Sequence, residues 1–106
     1  MKAGTQIGAL MDLYERTLKK EGKGRLDFAH PMMHARGLGD ERPAQFGDVG
    51  LEEFRRTELK AGMTFVLKPR ARNLRAGRTG QTGDTVVVTA KGGKRLGTRN
   101  MGLWIA

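Results

Sequence analysis

Cysteine is absent from this chain of 106 residues. That excludes a disulfide framework and every thiolate metal site. Aromatic residues make up only 6%, so stacking platforms for nucleobases are scarce from the outset. No apolar run approaches the roughly 20 residues that a membrane span needs. The opening "MKAGTQIGAL" lacks the basic and long apolar regions of a secretory signal, so a soluble cytoplasmic protein without a membrane partner is expected. Acid is the other scarcity. Residues 60–106 hold ten Lys/Arg against Asp84 alone, whereas residues 1–59 balance ten against ten, so the whole net charge of +9 sits in the second half.

Such asymmetry points to an anionic partner, with a merely solvated basic surface as the bland alternative. The length favours one domain, residues 1–106. A fold of this size removes roughly 60–65% of its unfolded surface from water, which allows a core but a thin one. Hydrophobic residues at 38% exclude a disordered composition, and the sixteen glycines collect in loops.

Apolar residues at Ile7, Leu10, Met11, Tyr14 and Leu18 follow helical spacing, which predicts a helix over residues 6–20. Thr5 is the expected N-cap, Glu15 and Lys19 a surface pair, and Gly22 a left-handed stop. Residues 23–50 read as irregular chain with one short extended piece at 28–34. "LEEFRRTEL" suits a turn or two of helix with Leu51 and Phe54 inward. In "GMTFVLKP", Met63, Phe65 and Leu67 alternate with Thr64, Val66 and Lys68, the pattern of a strand that Pro69 should end. "DTVVVTA" is a second strand, and "KGGKRLG" turns into a short third one. Pattern alone gives an α+β domain, an amphipathic helix laid on a small antiparallel sheet.

The stretch "HARGLGDERP", residues 34–43, gathers a histidine, two glycines, two carboxylates and a proline in a chain with only two histidines. It reads as a metal and acid–base site, as an emptied one, or as a polar loop. Four segments in order bear on the choice. "KAGTQIGALMDLYERTLKKEG", "HPMMHARGLGDERP", "LKAGMTFVLKP" and "GDTVVVTAKGGKRLG" resemble the second half of the catalytic domain of the creatinase, Xaa-Pro aminopeptidase and methionine aminopeptidase family. Their counterparts there are a helix closing on glycine, H-x-x-G-H-x-x-G followed by H-E-x-P, L-x-P-G-M-x-F-x-x-E-P, and E-D-T-x-x-V-T-x-x-G-x-x-x-L.

The resemblance implies half of a pita-bread fold and a hydrolase ancestry. It also implies a metal site that has decayed. In the family two metal ions are held by two aspartates, a histidine and two glutamates. The histidine corresponds to His34, with His30 as an outer histidine. The two glutamates correspond to Lys68 and Gly83, and the histidine of H-E-x-P to Asp40, with Glu41 and Pro43 kept. The aspartates belong to the other half-domain. One ligand position in five is thus filled, a lone imidazole holds a divalent ion poorly, and an ammonium repels it. No cofactor is expected. Lys68 would pair instead with Asp40 or Glu41.

His30, His34 and Glu41 remain candidates for acid–base work, since imidazole titrates near neutral pH. Histidines without an assigned carboxylate partner are more often structural. In "KPRARNLRAGRTGQTG", Arg70, Arg72, Arg75 and Arg78 on a connection between strands are candidate anion contacts. Against this stands a solvated loop tip, favoured by the lack of aromatics there.

The function expected is a creatinase/aminopeptidase-like hydrolase domain without the metal-dependent activity. The alternative is a non-enzymatic module whose basic half binds nucleic acid or another polyanion. A third reading is a piece of a longer enzyme. A half-domain should expose Val66, alternate residues of "TVVVT" and Trp104, which predicts a homodimer or pairing with a separately encoded first half.

Overall fold

A computed structural model describes residues 1–44 and 50–99, with the backbone alone at 27–32, 40 and 41. The elements run α1 (Ile7–Glu21), β1 (Asp27–Arg36), β2 (Asp40–Ala44), α2 (Leu51–Arg56), β3 (Thr64–Asn73), β4 (Arg78–Gln81), β5 (Asp84–Val88) and β6 (Gly93–Arg95). The strands form one sheet in the order β2-β1-β3-β5-β6, with β4 paired to β3 beside this path. Every pairing is antiparallel.

The spacing that predicts α1 is the spacing it uses. Ile7 and Met11 are buried, and Leu10, Tyr14 and Leu18 half-buried on the same face. The Glu15–Lys19 pair closes at 2.7 Å. Both caps differ from expectation. The N-cap is Gln6, not Thr5, and its side chain makes no cap bond among the described residues. Tertiary pairing fixes the entry instead. The Ile7 N–H donates to the Thr57 carbonyl (3.0 Å), and the Leu59 N–H donates to the Thr5 carbonyl (2.9 Å). Gly22 is right-handed, with φ −75°. The left-handed residues are Lys23 and Gly24. Glycine is needed at 22 for space, because a Cβ there would stand 2.7 Å from the Leu26 side chain.

Residues 27–44 are the larger departure. The expected irregular chain is a hairpin, and β1 runs ten residues along β3. Its alternation is hidden by register shifts between Ala29 and Met32 and between His34 and Ala35. The first shift also explains why Pro69 does not end β3. Pro69 lies between the pairs Met32↔Lys68 and Ala29↔Arg70, opposite the bulge. A bulge asks for no ladder N–H there, so proline is tolerated mid-strand. Beyond it, "RARN" pairs with β4 through Arg70↔Gln81, Ala71↔Gly80, Arg72↔Thr79 and Asn73↔Arg78. The arginine segment is a hairpin rather than a loop.

Both helices cover one face of the sheet. The core joins Ile7, Met11, Met33, Phe54, Leu59, Phe65 and Val88, with Leu51, Leu67 and Ala35 packed against it. Phe54 and Leu51 of α2 thus turn inward as their spacing predicts. The helices meet closely at Gly8, where a Cβ would be 3.1 Å from the Arg55 carbonyl oxygen. Arg55 also pairs with Asp12 at 2.7 Å. The Tyr14 hydroxyl donates to the Arg70 carbonyl (3.0 Å), tying α1 to the far part of β3, and burial raises its pKa. Val66 and Val87 on the other face are half-buried, less exposed than a bare half-domain predicts. Trp104 and the rest of "MGLWIA" lie outside the described residues. Among those described, no helix is long and apolar enough to cross a membrane.

Candidate functional site

Side chains alternate across a strand, so the burial of Phe65 with Leu67 packed against the core sends Val66, Lys68, Arg70 and Arg72 to the opposite face, on which no helix lies among the described residues. The register then brings the family positions together. His34 on β1 stands opposite Val66, two pairs along from Lys68 and therefore on the same face. Gly83 precedes β5 beside Lys68, where a Cβ would lie 3.4 Å from Lys68 Cγ and 3.1 Å from the Leu67 carbonyl oxygen. Three adjacent strands therefore converge His34, Lys68 and Gly83 on one spot.

His34 is the one buried polar residue described, at 3% exposed. Its Nδ1 is 3.1 Å from the Ala35 carbonyl oxygen, a contact that suits the Nδ1–H tautomer. The imidazole is buried rather than presented to solvent. His30 falls within the bulge of β1, and Asp40 and Glu41 open β2; their side chains lie outside what is described. Asp40 stands opposite Arg36 and Glu41 opposite Ala35. Lys68 stands opposite Met32. The expected pairing of Lys68 with either carboxylate is therefore not one that the register aligns, since three residues along β1 measure about 10 Å.

A metal pair does not fit the residues described. Lys68 carries three donors and no acceptor, and Gly83 carries no side chain. Among the described residues, no three His, Asp or Glu side chains come together as a ligand set.

The four arginines divide. Arg70 and Arg72 share the face with Lys68, and Arg70 Nη2 donates to the Gln81 side-chain oxygen (3.4 Å). Arg75 is in the exposed turn, and Arg78 stands opposite Asn73, on the other face of the hairpin.

Asp84 forms a latch that the residue pattern does not single out. It accepts from Arg95 Nε (2.6 Å), the Thr85 N–H (2.7 Å) and the Gly97 N–H (3.1 Å). Arg95 Nη2 donates to the Arg99 carbonyl (2.7 Å), and Arg99 Nη2 donates to the Gly83 carbonyl (2.8 Å). The available signal was its isolation as the lone acid in a cationic half. The Arg95 hydrogen bond, aided by those backbone donors and the Arg95 charge, holds the Asp84 carboxyl below the usual carboxylate range. A depressed pKa gives stability that is present above the unfolded value, about 3.9, and lost as pH falls through the folded value. The Asp84 carboxyl carbon resonance should therefore titrate below about pH 3.9, with the β5–β6 cross-strand NMR contacts intact at about pH 5. A midpoint at or above about 3.9, the ordinary aspartate value, would contradict the latch.

The fold has clear relatives among solved structures. An X-Pro aminopeptidase from Thermotoga maritima MSB8 matches with a TM-score of 0.75 and 23% identity, over 99% of this chain and 28% of that one. A prolidase from Pyrococcus furiosus matches at 0.69 and 27%, over 93% and 27% of the two chains. An Xaa-Pro dipeptidase from Bacillus anthracis matches at 0.71 and 23%, over 97% and 27%. No family model and no curated protein matches the chain. The chain thus spans about a quarter of the length of these enzymes. It has the fold of a half-domain of the creatinase type, the α+β arrangement that its four segments resemble.

Proposed function

We propose, from the premise of a half pita-bread fold, that this chain is a creatinase/Xaa-Pro aminopeptidase-like module without metal-dependent aminopeptidase activity. The convergence of His34, Lys68 and Gly83 on one spot carries this reading. A glutamate pair there would offer oxygen ligands. A lysine and a glycine offer a positive charge and none. The remaining imidazole is buried, and one imidazole alone holds a divalent ion poorly.

The reading includes assembly. A second copy, or a separately supplied first half, would cover the helix-free face, and twofold pairing is the commonest closed arrangement.

Native mass spectrometry after incubation with manganese, cobalt or zinc tests both parts. The expected spectrum is a metal-free dimer or, where the first half is the partner, a metal-free monomer that pairs when that half is added. Two retained metal ions per chain would refute the loss of the centre. A monomer that stays single with a first half present would refute the pairing.

A further inference from the structure

The helix-bearing face of the sheet holds an apolar groove of about 240 Å³, partly open to solvent. Leu10 and Tyr14 of α1, Met33 of β1, Leu67 and Pro69 of β3, and Met1 line it. The Tyr14 hydroxyl is turned to the Arg70 carbonyl, and every other group in that set is apolar. All but Met33 are only half-buried, so the groove has room for a further apolar group. An apolar cavity of about 150 Å³ takes a benzene ring, so this one suits an indole. It falls short of the roughly 300–1,000 Å³ of pockets for larger ligands.

The Asp84 latch lies on the same face. Val86 and Val88 of β5 are buried, and Asp84 alternates with them, opposite Leu67. Arg95, opposite Val86, binds Asp84 and also donates to the Arg99 carbonyl (2.7 Å). Arg99 in turn donates to the Gly83 carbonyl (2.8 Å), next to Thr82, whose N–H donates to the Pro69 carbonyl (3.3 Å). The last described residue is therefore held about one strand away from Leu67 and Pro69. The sequence that follows, "NMGLWIA", carries no charge and includes Leu103, Trp104 and Ile105. Five residues from Arg99 to Trp104 span up to about 17 Å, against about 4.8 Å between neighbouring strands.

We propose that residues 101–106 dock on this chain's own groove, with the Trp104 indole between α1 and the Leu67–Pro69 part of β3. Reach, apolar character and size select this occupant, and the latch aims it. The docked segment would extend the thin core on the side where α1 leaves it open. The assembly proposed above covers the opposite face, so the two covers do not compete. This inference is also independent of the metal reading.

Trp104 is the single tryptophan, so its fluorescence in the full chain reports directly. The expected emission is blue-shifted from that of indole in water, with acrylamide quenching slowed several-fold. Leu10→Gln in the groove should red-shift it, and Val66→Gln on the opposite face should leave it unchanged. Arg95→Ala, which releases the latch, should raise the quenching rate. Nuclear Overhauser contacts from the Trp104 ring to the Met33 methyl, in the wild-type chain, hold the test should Leu10→Gln fail to fold. Solvent-like emission without those contacts would overturn the docking. So would a shift caused by Val66→Gln and not by folded Leu10→Gln, which would seat Trp104 on the other face. Protection lost on dilution would place the segment in the groove of a second copy and overturn docking within one chain.

Discussion

Phe65→Ala should lower the stability of the chain by about 3–5 kcal/mol. Phe65 is 0% exposed in the middle strand of the sheet and belongs to the single described core. Truncating a buried phenylalanine costs about 3–5 kcal/mol through lost transfer energy and the cavity left behind. A domain of this size has a total stability of about 5–15 kcal/mol, so the loss removes most of the lower end of that range. The core is thin on this side, where an apolar groove of about 240 Å³, partly open to solvent, lies between α1, Phe54 and the sheet. Leu38→Ala is the control, as Leu38 is fully exposed in the β1–β2 turn. Urea unfolding followed by circular dichroism measures both. A Phe65→Ala midpoint within experimental error of the Leu38→Ala midpoint would refute this account of the core.

The parts of the fold legible beforehand are those whose burial pattern survives in one element. α1 shows its face at Ile7, Met11 and Tyr14, and β3 shows its alternation at Phe65 and Leu67. β1 was not legible, because two bulges break its period and its pairing with β3 is set by residues some forty positions away. The Pro69 misreading has the same origin. A proline ends a strand only where a ladder N–H is needed, and the bulge that removes the need lies on another strand. The helix caps failed for a related reason, with Thr57 and Leu59 supplying backbone groups that local capping rules assign to side chains. At the site, residue types alone grouped Arg70, Arg72, Arg75 and Arg78 into one patch. The register separates them and adds Lys68. The meeting of His34, Lys68 and Gly83 followed from the resemblance, since nothing in their spacing joins residues on three strands.

The sharpest consequence of that meeting is a gain of function. Lys68→Glu combined with Gly83→Glu should create a mononuclear metal site tighter than anything the wild-type residues at these positions offer. Positions 68 and 83 adjoin across the β3–β5 pair, and His34 is two pairs along on β1, on the same face. Two carboxylates and an imidazole suit zinc or manganese. Gly83 is outside the left-handed region, so a side chain brings no backbone strain. Its Cβ, 3.1 Å from the Leu67 carbonyl oxygen, needs only a small shift. Calorimetric titration should show zinc binding tightened by at least about 100-fold, about 2.7 kcal/mol, over wild type. Adding His34→Ala should return the affinity toward wild type. A folded double variant that takes up no more zinc than wild type would mean that the three positions lie beyond the reach of one ion.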